Sequence, residues 1–133
     1  MKDLVTEAAL SAVLITDDGF APDTGPAPLD IAPDADLAAL APGLAGIPAI
    51  RIPFASFADG RGFTLARRLR LMGYTGQLRA AGHVLADQYA MARRSGFDMV
   101  EISADLAARQ PEDQWRARAD WRAHDYRARL MAA

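Results

Sequence analysis

Residues 47–54 read Ile-Pro-Ala-Ile-Arg-Ile-Pro-Phe, and residues 98–103 read Asp-Met-Val-Glu-Ile-Ser. Both segments are short, rich in apolar residues and bounded by turn residues, which is typical of β-strands. Between them the sequence has a helical pattern at 65–72, another short strand at 77–81 and a second helical pattern at 84–95. Strands that alternate with helices in this way predict a parallel sheet with right-handed crossovers.

The segments upstream extend the same pattern. Two further strands are predicted at 10–16 and 29–31, and the loop between them, residues 21–28, contains three prolines, which cannot sit inside a ladder of hydrogen bonds. Asp34 or Asp36 can cap a short alanine-rich helix that ends near Pro42 and Gly43. The order from residue 29 onward is therefore strand and helix in alternation.

Helix ends are also visible in the sequence. Thr64 is the expected N-cap of the helix 65–72, and Gly73 is expected to end it. Pro111 suits the first turn of a final amphipathic helix over about 111–131. That helix has one apolar stripe, formed by Trp115, Ala119, Ala123, Tyr126 and Leu130. The stripe is interpreted as docking on its own domain, with a partner interface as the alternative.

The expected fold is a single α/β domain over residues 1–133. Its sheet is small, mostly parallel and built from consecutive βα units, in a three-layer or half-barrel-like arrangement. A sheet of four or five strands leaves its edges thinly covered, which is compatible with a homodimer.

Composition excludes several kinds of chemistry. The chain has no cysteine and only two histidines, so thiol redox catalysis and sulfur ligation of a metal are excluded, and no metal site is expected. Neither the glycine pattern of dinucleotide-binding proteins nor the phosphate-binding loop is present, and no cofactor is expected. No apolar run approaches membrane-spanning length and the N-terminus lacks a basic region before an apolar one, so the predicted location is the cytoplasm.

The charges are distributed unevenly. Residues 1–50 contain eight acids and one base, whereas residues 51–100 contain eight arginines and three acids. Either these charged residues lie on ordinary solvated surfaces and their uneven distribution is due to chance, or the arginine-rich part faces an anion or an acidic partner. The net charge of −2 argues against binding to nucleic acid.

Two loops are expected at the carboxyl edge of the sheet, where ligands of open α/β sheets bind. One is residues 59–64, Asp-Gly-Arg-Gly-Phe-Thr, and the other is residues 80–83, Ala-Ala-Gly-His. Backbone amides next to Gly60 and Gly62, the fork of Arg61 and the hydroxyl of Thr64 form a candidate anion site. The alternative is a tight turn in which Asp59 pairs with Arg61.

Two side chains nearby need explanation. Gln88 projects from the apolar sector of helix 84–95, so it either clamps a neighbouring backbone or binds a ligand. Arg79 lies inside a strand and needs a carboxylate partner, for which Asp59, Asp87 and Glu101 are candidates, unless it binds a ligand.

Acid–base chemistry has weaker signals. Asp59, Asp87 and His83, at the predicted helix start, are the candidate catalytic residues. Two carboxylate pairs are available, Asp59 with Asp87 and Glu101 with Asp105, but nothing in the sequence determines their spacing.

Several of these segments together resemble one bacterial family. The most distinctive are residues 57–67, Phe-Ala-Asp-Gly-Arg-Gly-Phe-Thr-Leu-Ala-Arg, residues 73–80, Gly-Tyr-Thr-Gly-Gln-Leu-Arg-Ala, and residues 94–98, Arg-Ser-Gly-Phe-Asp. Over about 48–103 the chain resembles the bacterial domain of unknown function family 934, often labelled as an oxidoreductase of sulfite reduction. At positions 58, 77 and 83 it has alanine, glutamine and histidine, where threonine, glutamate and aspartate are frequent in the family.

The resemblance implies a bacterial cytoplasmic protein of assimilatory sulfate and sulfite reduction. Our first hypothesis is an accessory protein that binds a small oxyanion, sulfite reductase or another sulfur-assimilation enzyme, without redox chemistry of its own. The second is a small lyase or isomerase that uses Asp59, Asp87 or His83 as acid or base, with Arg61 and Arg79 holding an anionic substrate.

Overall fold

The computed structural model describes residues 12–122, which form one six-stranded sheet and five α-helices. The strands are β1 Val13–Thr16, β2 Gly19–Ala21, β3 Leu29–Asp30, β4 Ala49–Phe54, β5 Gln77–Gly82 and β6 Met99–Ile102. The helices are α1 Leu37–Leu40, α2 Arg61–Leu71, α3 Tyr89–Ser95, α4 Ala104–Arg109 and α5 Glu112–Arg116. None of the helices described is long and apolar enough to cross a membrane.

The sheet has the order β2-β1-β6-β5-β4-β3. Strands β3, β4, β5 and β6 are parallel to one another, whereas β1 is antiparallel to both β6 and β2. The mixed α/β class and the mostly parallel sheet are therefore confirmed. The loop prediction was wrong at Ala21, which ends β2, because a tight turn after β1 folds the chain back as a hairpin. The predicted layering, three-layer or half-barrel-like, stays a prediction.

The two faces of the sheet differ in chemistry. Alternate residues of the central strands are buried in the apolar core; they are Ile50, Ile52, Phe54, Leu78, Ala80, Val100 and Ile102. The intervening residues Arg51, Arg79 and Glu101 point to the other side, because successive side chains of a strand alternate. We call this side of the sheet the charged face.

Helix α2 begins earlier than the sequence suggests. Thr64 was predicted as its N-cap, but α2 starts at Arg61 with Gly60 as the N-cap residue. The Asp59 carboxylate accepts a hydrogen bond from the backbone N–H of Arg61, so it satisfies one of the free amides of the first turn. The predicted end is confirmed, since Gly73 follows the helix with φ of +93°.

The helix predicted over 84–95 is shorter. Residues Ala86–Gln88 form a 3₁₀ turn and α3 spans only Tyr89–Ser95, so His83 is not at an α-helix start. The backbone of Leu85 is extended and its N–H donates to the Gln88 side chain. This local bond and a bond from the Ala86 N–H to the Gln110 side chain replace helical bonds there.

The final helix differs most from expectation. Helix α5 ends at Arg116 rather than continuing toward residue 131, and residues 123–131 of the prediction lie outside the described part of the chain. Beyond this end, the ring of Trp121 packs against the Arg93 guanidinium at 4.8 Å and its carbonyl accepts a hydrogen bond from Arg94. Trp115 is buried against Tyr89, so this part of the stripe docks on its own domain as interpreted.

Candidate functional site

The first candidate region is the carboxyl-end rim, which we define as residues 54–64 and 82–88. Arg61 donates from Nε and Nη2 to the two carboxylate oxygens of Asp59, each at 3.0 Å. These hydrogen bonds hold the pKa of Asp59 below its ordinary value. The carboxylate also accepts from the Arg61 backbone N–H at 3.2 Å, so it occupies the place that an anion would take at the start of α2.

Two rim glycines have a packing role. A Cβ on Gly62 would lie 2.5 Å from the Phe54 ring, and a Cβ on Gly82 would lie 2.8 Å from the Phe54 carbonyl oxygen. Gly82 also has φ of +111°, a conformation that favours glycine. Gly60, by contrast, has open space around the position of a Cβ. The close packing of Phe54 therefore accounts for Gly62 and Gly82 without a ligand.

Gln88 is held at both ends of its amide. Its oxygen accepts from the Leu85 N–H at 2.8 Å and its nitrogen donates to the Phe57 carbonyl at 2.9 Å. These are the contacts of a backbone clamp, the first of the two interpretations of this residue. His83 is exposed, and its Nδ1 lies 3.2 Å from the Phe54 carbonyl oxygen.

The remaining rim candidates do not come together as an acid–base site. Asp87 pairs with Arg118, and Asp59 pairs with Arg61. Thr64 lies in α2 with an exposed side chain, one turn from its start. A carboxylate whose pKa is lowered by an arginine is a poor general base near neutral pH, which counts against Asp59 in that role.

The second candidate region lies on the charged face and centres on Arg79. This side chain is only 1% exposed. Its Nη1 donates to Glu101 at 2.7 Å, and its two Nη atoms donate to the carboxylate of Asp23 at 3.2 and 3.3 Å. Its Nε is buried without a hydrogen-bond partner. Glu101, one of the three acids considered for Arg79, is thus its partner, together with Asp23.

Arg51 lies next to Arg79 on the same face, because the two residues are partners in the parallel register of β4 and β5. It donates to Asp30 at 2.5 and 2.9 Å and to both oxygens of Glu101 at 3.3 Å. The bonds from Arg51 lower the pKa of Asp30, and Asp30 in turn raises the pKa of Arg51. Glu101 therefore joins the two arginines into one ionic network.

A loop crosses this network. Asp23 belongs to the proline-containing segment 22–28, and a Cβ on Gly25 would lie 3.3 Å from the Gln77 side chain. Two cavities adjoin Asp23, one of about 350 Å³ beside Arg79 and one of about 510 Å³ beside Arg51 and Glu101. The charged face therefore has concave, polar space next to a buried guanidinium.

The chain matches a family model described as "Bacterial protein of unknown function (DUF934)" over residues 29–131. The chain belongs to this family. No curated protein and no solved structure matches it. The range of the DUF934 match includes the rim and the network residues Asp30, Arg51, Arg79 and Glu101, and it starts downstream of Asp23. Within residues 12–122, no group of three or more histidine, aspartate or glutamate side chains is placed to hold a metal ion.

Sequence reasoning about this DUF934 protein missed two residues of the charged face, Arg51 and Asp23. Arg51 stands in Ile-Arg-Ile and Arg79 in Leu-Arg-Ala, so the alternation of side chains along two neighbouring strands predicts that both arginines share a face. That signal was available. Asp23 had no such signal, because its position over Arg79 depends on how the proline-containing loop folds back across the sheet.

Proposed function

We propose that this DUF934 protein is a cytoplasmic accessory protein of assimilatory sulfite and sulfate reduction. It binds a small oxyanion or a reductase partner and performs no redox chemistry of its own. Family membership supports the association through the resemblance described above, and the absence of cysteine removes the side chain that thiol redox chemistry requires.

The observation that carries the oxyanion part is Arg79. A guanidinium that is 1% exposed, with one unpartnered nitrogen and one of its two carboxylates supplied by a loop, is organised for anion recognition. Arg51 lies beside it and adds a second positive charge on the same face. We therefore place ligand binding at the charged face, with Arg79 as the principal ligand-binding residue and Gln77 at its side.

The rim remains the competing place for the ligand. Gly60, Arg61, Gly62, Thr64 and Gln88 belong to it, but Arg61 already binds Asp59 and Gln88 already binds backbone groups. An oxyanion at the rim has to displace a carboxylate that also serves the first turn of α2. On the charged face the carboxylate that would be displaced is Asp23, which bonds to Arg79 and does not cap a helix, and this difference favours the charged face.

Titration calorimetry with sulfite, sulfate and adenylyl sulfate tests the assignment. We expect binding to the wild-type protein, a loss of about tenfold or more in affinity for Arg79→Lys, which lacks the planar fork, and little change for the matched rim variant Arg61→Lys. If Arg61→Lys loses more affinity than Arg79→Lys, the ligand site lies at the rim instead. No binding to any of these anions, with no capture of sulfite reductase in a pull-down, contradicts the proposed function.

The homodimer stays a prediction. Strand β3 at one edge of the sheet has only two residues, and Leu29 within it is 43% exposed. Such an edge is compatible with pairing to a second chain. Light scattering coupled to size-exclusion chromatography measures the mass directly, and a monomer at all concentrations would show the prediction to be wrong.

A further inference from the structure

The two carboxylates that bind Arg79 are held in different ways. Glu101 lies on β6, is 17% exposed and is bonded at 2.7 Å. Asp23 lies on a loop, is 53% exposed and is bonded at 3.2 and 3.3 Å. Shorter bonds and a position within the sheet make Glu101 a permanent partner, whereas the longer bonds of Asp23 and its exposure to water make it replaceable.

The charges of the network also indicate that Asp23 is the replaceable carboxylate. Without Asp23, the two positive charges of Arg51 and Arg79 are balanced by the two negative charges of Asp30 and Glu101. Asp23 adds one further negative charge through two oxygens that accept from the outer Nη atoms of Arg79. A small oxyanion with one negative charge can make the same two bonds and leaves the charge of the network unchanged.

The surroundings allow such an exchange. Two cavities adjoin Asp23, and every residue from Pro22 to Ala27 is exposed. Within residues 12–122 the recorded polar side-chain bonds of this segment are those of Asp23 to Arg79. The segment can therefore move away without breaking other hydrogen bonds of that kind.

We propose that Asp23 is a tethered competitor: it occupies the oxyanion position on Arg79 in the free protein and is displaced when a small oxyanion with carboxylate-like geometry binds. This inference rests on the proposed oxyanion-binding function and adds the ligand class and its regulation. Only the molecules in which Asp23 is released can bind the anion. The apparent dissociation constant is therefore the intrinsic constant divided by the released fraction. Binding of the anion correspondingly shifts the segment 22–28 away from Arg79.

The test compares Asp23→Asn with the matched variant Asp105→Asn, which also removes one carboxylate charge but from an exposed pair with Arg109. Calorimetric titrations with sulfite, sulfate and acetate are run on both variants and on the wild type. If the bound state of Asp23 predominates about nine to one, Asp23→Asn binds these anions about tenfold more tightly, and Asp105→Asn stays within about twofold of wild type. Far-UV circular dichroism confirms that all proteins are folded.

A second measurement follows the loop itself. In nitrogen-15 spectra of the wild type, a saturating anion should shift the amide signals of Thr24 and Gly25 together with the Nε–H signal of Arg79. In Asp23→Asn the loop signals should already resemble those of the anion-bound wild type before any anion is added, because the attachment to Arg79 is lost.

The outcomes separate the inference from the function on which it rests. If the wild type binds the anion and Asp23→Asn binds it no more tightly, the proposed role of Asp23 as a competitor is wrong, whereas the proposed oxyanion binding still holds. No binding by either protein overturns oxyanion binding itself. Tighter binding by Asp23→Asn with unchanged loop signals contradicts the displacement of the loop.

Discussion

The carboxyl-end rim and the charged face each contain an arginine bound by an aspartate through two oxygens, yet the two pairs differ in their surroundings. At the rim, Asp59 and Arg61 are two residues apart and belong to one turn at the start of α2. On the charged face, Asp23 and Arg79 are far apart in sequence, and Arg79 is buried while Asp23 is half exposed. The first pair is local, whereas the second joins a loop to the sheet.

This difference separates a structural pair from a candidate binding site. Glycines, an aspartate and an arginine in one loop look like an anion site in the sequence, but at the rim the packing of Phe54 and the capping of α2 account for them. On the charged face a buried Nε has no partner and the covering carboxylate comes from a loop. An unexplained polar atom is better evidence of a ligand site than the composition of a loop.

The largest expected change in stability tests which carboxylate of the charged face, Glu101 or Asp23, stabilises the fold. Glu101→Gln removes the charge that joins Arg51 and Arg79, so the free energy of unfolding should fall by about 3 kcal/mol. Asp23→Asn, at the same arginine, should cost less than about 1 kcal/mol because Asp23 is exposed. Urea denaturation measures both variants. Equal costs would show that Asp23 is as structural as Glu101.

The next effect tests whether the rim glycines serve packing. Gly62→Ala should lower the free energy of unfolding by about 2 kcal/mol, because the new methyl group would press on the buried ring of Phe54, which packs against Phe63 at 5.0 Å. Gly60→Ala is the control and should change stability by no more than about 0.5 kcal/mol, since its φ is −89° and its surroundings are open. A neutral Gly62→Ala, measured by thermal or urea unfolding, would reopen the rim as a ligand site.

A smaller effect tests the clamp of the rim. Gln88→Ala leaves the Leu85 N–H and the Phe57 carbonyl without their partner, and should cost about 1–2 kcal/mol in urea unfolding. Gln114→Ala is the matched control, because Gln114 is an exposed helical glutamine and its loss should cost less than about 0.5 kcal/mol. If the two variants unfold alike, the amide of Gln88 is not a structural clamp.

The smallest effect concerns acid sensitivity. Arg51 lowers the pKa of Asp30 in the folded protein, so this carboxylate stabilises the fold above its unfolded pKa, near 3.8, and the stabilisation is lost as the pH falls below that value. Asp30→Asn should therefore lose less stability than wild type between about pH 5 and pH 2, by under about 1 kcal/mol because Asp30 is largely exposed. Urea titrations at several pH values measure this slope. A steeper loss in the variant would contradict the pKa direction.

The secondary structure was predictable where a local pattern decides it. The strands at 49–54, 77–82 and 99–102 follow from short apolar runs between turn residues, and Gly73 and Gly96 end helices with positive φ. The prediction was wrong where a distant contact competes with a local preference. At residues 85–86 a local bond to Gln88 and a bond to the distant Gln110 replace helical bonds, and beyond α5 the ring of Trp121 packs against the distant Arg93.

The sequence alone was sufficient to predict the α/β class, the mostly parallel sheet and the family, because these depend on periodicity, turn residues and motifs along the chain. Only the tertiary structure decided which arginine is a candidate ligand residue. Both Arg61 and Arg79 are candidate ligand residues in the sequence. They differ in the structure because β4, β5 and β6 align Arg51, Arg79 and Glu101 on one face, and the loop 22–28 places Asp23 over Arg79. The alternation of side chains along β4 and β5 already indicates that Arg51 and Arg79 share a face, but a contact made by the folding of a loop, such as that of Asp23 with Arg79, leaves no periodic signal in the chain.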